Sequence, residues 1–179
     1  MSYELRIWDP VRHAPLPASA DEALDIAERL RSVPDTPNPA FERFGRSLAD
    51  GYAALTKAAG ADDVTLEEFW GGDPQEQARA CQAAVYELSL PVEDARRLAL
   101  AVGAAGDAGL ALLDDENGMC FLPDGVVYPD DSREMWAATL DELRAGPTAP
   151  GDVAPDNRTL LQQIASALFD AIGRGNNHQ

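Results

Sequence analysis

Two apolar runs meet at Asn117-Gly118, between residues 109 and 129, and this stretch constrains the fold more than any other part of the sequence. Both central residues of a type I′ turn need positive φ, which Asn and Gly adopt at low cost. The same turn matches the natural twist of paired strands. The stretch therefore predicts a β-hairpin with a type I′ turn at Asn117-Gly118, followed by a short extended segment at residues 126–128.

Upstream of the hairpin, strand-like and helix-like periods follow one another. Residues 3–8 alternate apolar and polar side chains, which is the period of a half-buried strand. Helical spacing behind capping residues predicts helices that begin after Ser19 and Asn38, the second ending at Gly60. The same signals predict a helix after Asp131 that ends at Gly146.

The middle of the chain gives weaker signals. Residues 61–72 are ambiguous, because acidic residues interrupt a segment that would otherwise suit a short strand. A brief helical turn is expected after Pro74, followed by a strand at about residues 82–90. Pro91 is expected to open a helix that ends near Gly106, with Glu93 and Arg97 paired on its exposed side.

Strands that are separated by helices and then paired in a hairpin predict an α+β fold. We expect a mixed or mainly antiparallel sheet with helices packed mostly on one face. Residues 1–146 are predicted to form a single α+β domain, followed by a Pro- and Gly-rich linker at 147–156. A C-terminal amphipathic helix is predicted at 157–173, docked on the same domain, and the polar tail at 174–179 is expected to be disordered.

The charge balance is extreme, with a formal net charge of −17 and a sequence pI near 4.2. Such a field repels phosphate backbones and anionic lipid, so we expect no nucleic-acid or membrane partner. A basic protein partner is favoured, because complementary charge speeds encounter and helps to select the partner. The alternative is that the acidity serves solubility alone.

Residues 1–9 lack the continuous apolar region of a signal peptide, and no window approaches the roughly 20 apolar residues of a membrane span. Cys81 and Cys120 are the two cysteines, and neither has the sequence spacing of a metal or redox motif. These observations predict a cytoplasmic protein with two free, buried thiols; a disulfide would form only if the protein were exported.

Side chains that commonly carry catalysis are scarce. Histidine occurs only at His13 and His178, and a Cys120–His13 dyad is less favoured than a buried Cys120 thiol on a strand. The acidic stretch at residues 114–118 does not have the ligand spacing of an EF-hand loop, and alternation should send Asp114 and Asp115 to opposite faces. Residues 103–109 lack the lysine and hydroxyl of a phosphate loop. We therefore predict no catalytic residues, no metal site and no cofactor.

Acidic residues near Trp70 and at the hairpin tip are the candidates for contact with a partner, since an aromatic side chain among them would make an interface anchor. Each has a simpler reading: the acids as solvated surface or helix caps, and Trp70 as a core residue. The candidates are Asp62, Asp63, Glu67, Glu68, Trp70, Asp73, Asp114, Asp115 and Glu116.

The strand at residues 3–9, the helix start at Asn38-Pro39-Ala40-Phe41 and the hairpin from Gly109 to Gly125 together carry a resemblance. They resemble a loose group of small, mostly uncharacterised bacterial proteins. Some of these look like immunity proteins that accompany polymorphic or type VI secreted toxins. The resemblance covers residues 3–130 and leaves out the linker and the last predicted helix. It implies no catalytic residues in this chain.

Three hypotheses follow for the function. The first is a cytoplasmic immunity protein, a monomer or homodimer, which binds and occludes a basic secreted toxin or effector. The second is a carboxylate-dependent hydrolase, which would need two acids meeting in one pocket with perturbed pKa values. The third is a structural or adaptor protein that self-associates through the predicted helix at 157–173.

Overall fold

The structure, a computed structural model, describes residues 3–13, 15–59, 64–91 and 94–145 of the 179-residue chain. The elements in chain order are β1 (Tyr3–Trp8), α1 (Ala20–Arg31), α2 (Pro39–Ala59), α3 (Leu66–Trp70), α4 (Pro74–Ala80), β2 (Val85–Leu90), α5 (Ala95–Ala108), β3 (Ala111–Asp114), β4 (Met119–Phe121), β5 (Val127–Tyr128) and α6 (Ser132–Ala145). The linker, C-terminal helix and tail predicted for residues 147–179 lie outside the described residues.

The five strands form one sheet in the order β2-β1-β3-β4-β5, and every neighbouring pair is antiparallel. β1 therefore lies inside the sheet, with Leu5 opposite Leu88 on one side and opposite Asp114 on the other. The predicted α+β fold with a mainly antiparallel sheet is confirmed.

The two faces of the sheet are covered unequally. The face that carries Leu5 and Ile7 packs against buried residues of α2, α3, α4, α5 and α6. The opposite face, with Trp8 and Leu113, packs against the apolar stripe of α1. Helices thus lie mostly on one face, as predicted, and burial of each large apolar side chain contributes about 1.5–3 kcal/mol.

Helix starts with clear capping signals are confirmed. The Ser19 hydroxyl accepts a hydrogen bond from the Glu22 amide at 3.1 Å at the start of α1. The Asn38 side chain accepts from the Ala40 amide at 2.9 Å at the start of α2. α6 begins directly after Asp131. These caps satisfy amides that would otherwise lack partners in the first turn of a helix.

The hairpin forms at the predicted place but with a different turn. Asp114 pairs with Met119, so four residues form the loop rather than the predicted two. The side chain of Asp114 accepts a hydrogen bond from the Asn117 amide at 3.2 Å and thereby folds the wider loop back on itself. The type I′ prediction is therefore wrong, although Gly118 does adopt positive φ, at 62°.

Two further predictions need correction. The ambiguous segment contains α3, whose start has a capping box in which Thr65 and Glu68 satisfy each other's amides. α5 begins at Ala95, with Asp94 as its cap, and ends at Gly109 with a φ of 74° rather than at Gly106. Arg97 lies over the ring of Phe69 instead of on an exposed face, and Glu93 lies outside the described residues.

Candidate functional site

The polar residues at the loop end of the hairpin form a buried cluster. Asp114 has no exposed surface, and its carboxylate accepts hydrogen bonds from the Tyr3 hydroxyl and from Asn117 Nδ2 at 3.0 Å. The same Asn117 amide group donates to the Tyr3 hydroxyl at 3.0 Å. These bonds compensate the cost of burying a carboxylate, so Asp114 ties the loop to β1 and is no longer a candidate for partner contact.

Asp115 points to the opposite face of the sheet, as the alternation predicted. Its Oδ2 atom lies 3.2 Å from Arg6 Nη2, while Arg6 Nη1 lies 2.5 Å from Glu28 Oε1 of α1. The Arg6 side chain is 8% exposed and that of Asp115 is 36% exposed. Asp115 therefore partly neutralises a buried guanidinium, and the next residue, Glu116, is fully on the surface.

The two described acids of α3 are exposed. Glu67 lies on the surface of the first turn, and the Glu68 carboxylate accepts a hydrogen bond from the Thr65 amide at 2.9 Å. This backbone hydrogen bond, with a second from the Thr65 hydroxyl, lowers the pKa of Glu68 below its ordinary value. Both side chains are thus exposed on the surface, where a cation of a partner can reach them.

The remaining candidates near α3 have different positions. Trp70 is completely buried, and its ring packs edge-on against Phe69 at a centroid distance of 5.0 Å. It belongs to the core, as the simpler reading had it, and offers no surface to a partner. Asp73 caps α4 by accepting from the Gln75 amide at 2.8 Å. Asp62 and Asp63 lie outside the described residues.

The exposed acids of α3 and of the hairpin loop lie at the same end of the sheet. A Cβ atom built on Gly71, directly after α3, would lie 2.7 Å from the carbonyl oxygen of Ser89. Ser89 pairs with Glu4 of β1, next to the pairing of Leu5 with Asp114. We call this region the acidic end, defined by residues Glu67, Glu68, Asp94, Asp115 and Glu116.

A cavity of about 190 Å³ opens at the acidic end between the start of α5 and α6. Residues from β1, the hairpin, α5 and α6 converge on it. Its lining consists of Tyr3, Asp94, Ala95, Leu98, Asn117, Met119, Met135, Trp136 and Thr139. The composition is mainly apolar with a single carboxylate, and Met135 is 55% exposed. Such a cavity suits a side chain that combines an apolar stem with a polar end.

Trp136 lines this cavity and also a smaller one of about 30 Å³. The smaller cavity is apolar and is bordered by Val102 and Gly106 of α5 and by Phe121 and Val127 of the sheet. Trp136 is 5% exposed, stacks edge-on against Phe121 at 4.9 Å, and its indole Nε1 has no hydrogen-bond partner within the described residues. The sequence did not indicate this arrangement, since Tyr3, Asp94 and Trp136 are far apart in the chain.

The surroundings of Cys81, Cys120 and His13 do not favour nucleophilic catalysis. Burial raises the pKa of Cys120 to about 12, and burial, with the charges of Asp35 and Glu87, raises the pKa of Cys81. A nucleophilic cysteine needs the opposite shift. His13 Nε2 lies 2.7 Å from Asp35 Oδ2, so this ring is held in an ion-pair geometry in the loop after β1. Both cysteines are free, as expected, and Cys120 is buried, but Cys81 is only half-buried, so the prediction of two buried thiols is wrong for Cys81.

Within the described residues, no three His, Cys, Asp or Glu side chains gather in a way that would hold a metal ion. None of the helices in that part of the chain is long and apolar enough to cross a bilayer. In comparisons with known proteins, no family model, no curated protein and no solved structure matches this chain.

Proposed function

We propose that this chain is a binding protein whose acidic end holds a basic protein partner, and that the partner is a secreted toxin or effector which the chain neutralises as a cytoplasmic immunity protein. The observation that carries the proposal is the position of Glu67, Glu68 and Glu116, three exposed carboxylates around one end of the sheet. The net charge of −17 also attracts a basic partner.

The ion pairs of the described residues support this use of the acidic end. Glu67 and Glu116 form no ion pair there, whereas Glu28, Asp35 and Glu87 are each paired with an arginine. Unpaired exposed carboxylates attract a cationic surface over a distance of about one Debye length, roughly 8 Å at physiological salt. A basic toxin would be drawn to this end before any contact forms. Residues 3–130 resemble a loose group of small bacterial proteins, some of which look like immunity proteins, and we extend that role to this chain.

The two other hypotheses have less support. A hydrolase that works with paired carboxylates needs both acids to face one cavity. In the described part of the chain, Asp94 is the acid that lines the larger cavity, and Asp114 is turned towards Tyr3 and Asn117. The adaptor hypothesis depends on residues 157–173, which lie outside the described residues.

The test is co-expression of the full chain with secreted toxins encoded beside its gene, followed by measurement of growth and of the purified complex. We expect protection and a complex whose association rate falls as salt is raised. Glu67→Lys combined with Glu116→Lys should slow association on the order of tenfold, because it reverses two exposed charges at the contact end.

The matched control is Asp107→Lys combined with Asp124→Lys, which makes the same change of charge at two exposed positions at the opposite end of the sheet, near the end of α5 and in the loop after β4. This control should leave association close to that of the unmodified chain. Equal slowing by both double variants would show that only the net charge matters. Absence of any complex and of any protection would overturn the proposed function.

A further inference from the structure

We propose that the 190 Å³ cavity at the acidic end receives an arginine side chain of the bound partner. This inference rests on the proposed function and goes beyond it by naming the chemical group that anchors the partner. Three properties of the cavity carry it: an apolar wall, a carboxylate with spare acceptor capacity, and an aromatic ring.

The apolar wall suits the methylene stem of an arginine. Leu98, Met119 and Trp136 line the cavity from three different elements, and Met135 is 55% exposed. Methionine side chains adapt their shape to what they contact, so the wall can close on a flexible stem. Arginine buries its stem along apolar surface while its charged end keeps polar partners.

Asp94 supplies the carboxylate. One of its oxygens caps α5 by accepting from the Arg96 amide at 2.8 Å. The other lies 3.9 Å from Arg97 Nε, which is longer than a hydrogen bond. A carboxylate has about four acceptor positions. The Asp94 side chain is 35% exposed, so it has capacity for a second cation.

Arg97 does not fill that role itself. Its guanidinium lies 4.6 Å over the ring of Phe69, and its side chain is only 12% exposed. The Arg97 guanidinium therefore lies on the side of α3, whereas the cavity opens towards α6. The carboxylate also disfavours an anion at the start of α5, because it already occupies the Arg96 amide.

Trp136 supplies the aromatic ring. It lines the cavity together with Asp94, so both groups border the same space. A planar guanidinium stacks on an aromatic face and at the same time donates hydrogen bonds to a carboxylate. A lysine ammonium is a compact point charge without a planar face to stack or a fork of parallel donors, so the cavity favours arginine over lysine.

The experiment uses the full chain and three small probes: N-acetyl-arginine methylamide, its neutral citrulline counterpart, and N-acetyl-leucine methylamide. The indole N–H resonances of the tryptophans are followed by two-dimensional NMR during each titration. We expect the arginine probe to shift the Trp136 signal saturably. The signals of Trp8 and Trp70, both with no exposed surface, serve as internal controls and should not move.

Two variants make the test specific. Asp94→Asn keeps a good helix cap but removes the charge. It should lower the affinity for the arginine probe about fivefold, which is the upper end of what a partly exposed ion pair contributes. Asp107→Asn removes the same charge from an exposed position at the other end of α5 and should have no effect.

An unmoved Trp136 signal would overturn the inference, and so would equal binding of the citrulline or leucine probe. Equal weakening by Asp94→Asn and Asp107→Asn would also overturn it, since that result would indicate attraction to net charge alone. The proposed function would survive any of these results if Glu67→Lys with Glu116→Lys still slowed association with the toxin. The two failures are therefore distinguishable.

Discussion

The Tyr3 hydroxyl donates a hydrogen bond to the buried carboxylate of Asp114, joining the first residue of β1 to the last residue of β3. Asn117 completes the arrangement by donating to both of these groups, at 3.0 Å each. The contact spans more than a hundred positions in the sequence. It holds the hairpin loop at the acidic end in one place, next to the cavity that Tyr3 and Asn117 also line.

Replacement of Tyr3 by Phe tests the strength of this contact. The variant leaves a buried carboxylate with one donor fewer, and we expect the free energy of unfolding to fall by about 1–3 kcal/mol. Tyr128→Phe is the matched control, because Tyr128 is half-buried and its hydroxyl makes no hydrogen bond within the described residues. Urea unfolding followed by circular dichroism measures both. Equal stability of the two variants would contradict the role given to Asp114.

The pairing of Arg6 with Glu28 and Asp115 predicts an asymmetry. Removal of both carboxylates, by Glu28→Gln with Asp115→Asn, leaves a mostly buried guanidinium without a counter-charge and should cost about 2 kcal/mol of stability. Arg6→Met keeps the volume and leaves two acids that water can reach, so it should cost less than half as much. Chemical unfolding of both variants decides the question. A larger loss for Arg6→Met would mean that the ion pairs themselves stabilise the sheet.

Gly71 and Gly109 have the same left-handed backbone conformation, but only at Gly71 would an added Cβ clash with a neighbouring atom. Alanine substitutions at the two positions therefore separate the cost of the clash from the cost of the backbone conformation. Gly71 and Gly109 end helices with φ of 72° and 74°. Alanine should cost about 1–2 kcal/mol at either position because of the left-handed conformation. A Cβ at Gly71 would also lie 2.7 Å from the Ser89 oxygen, whereas nothing lies within 4 Å at Gly109. Thermal unfolding should therefore show a clearly larger loss for Gly71→Ala.

Asp35 predicts a loss of stability in acid. Burial alone would raise its pKa, but the hydrogen bond to His13, the Thr36 amide and the charges of His13 and Arg12 together lower the pKa below 3.8. A carboxyl with a lowered pKa in the folded state stabilises the fold above its unfolded pKa and loses this contribution as the pH falls through the folded value. The stability difference between the unmodified chain and Asp35→Asn should shrink below about pH 4. A difference that stays constant from neutral pH to pH 2 would contradict the His13–Asp35 pairing.

The two thiols should differ in reactivity. Cys120 has no exposed surface and a pKa raised to about 12 by burial, whereas Cys81 is half-buried near the end of α4. A maleimide reagent should therefore label Cys81 first and reach Cys120 only when the chain unfolds. Peptide mass spectrometry after timed labelling measures this, with the denatured chain as the control for intrinsic reactivity. Fast labelling of Cys120 would contradict its position between the sheet and α1.

The elements whose signals are local were predictable from the sequence. β1, α1 and α2 follow from alternation, from helical spacing and from the caps at Ser19 and Asn38. α3 also had a local signal, the Thr65 and Glu68 capping box, but the interrupting acids obscured it. The hairpin was located correctly, but its turn was not, because Asp114 pairs with Met119 and its side chain accepts the Asn117 amide in a four-residue loop.

The candidate site was harder to predict. Glu67, Glu68 and Glu116 could be named as exposed acids, but their common location depends on the sheet order, which places β1 between β2 and β3. The cavity combines Tyr3, Asp94 and Trp136, and no short sequence pattern connects them. Trp70 shows the converse case: its acidic neighbours made it a candidate interface anchor, but its simpler reading as a core residue is correct, since apolar side chains pack around the ring.

The interior position of β1 has a consequence for the order of events during synthesis. Leu5 of β1 pairs with Leu88 on one side and with Asp114 on the other. Both partners come later in the chain, so neither has been synthesised when β1 leaves the ribosome. Helices such as α2 need no such delay, because their hydrogen bonds are local. Pairing across long stretches of sequence is slow. The sheet of this protein is therefore completed late, because β1 stays unpaired until β2 and β3 have both been synthesised.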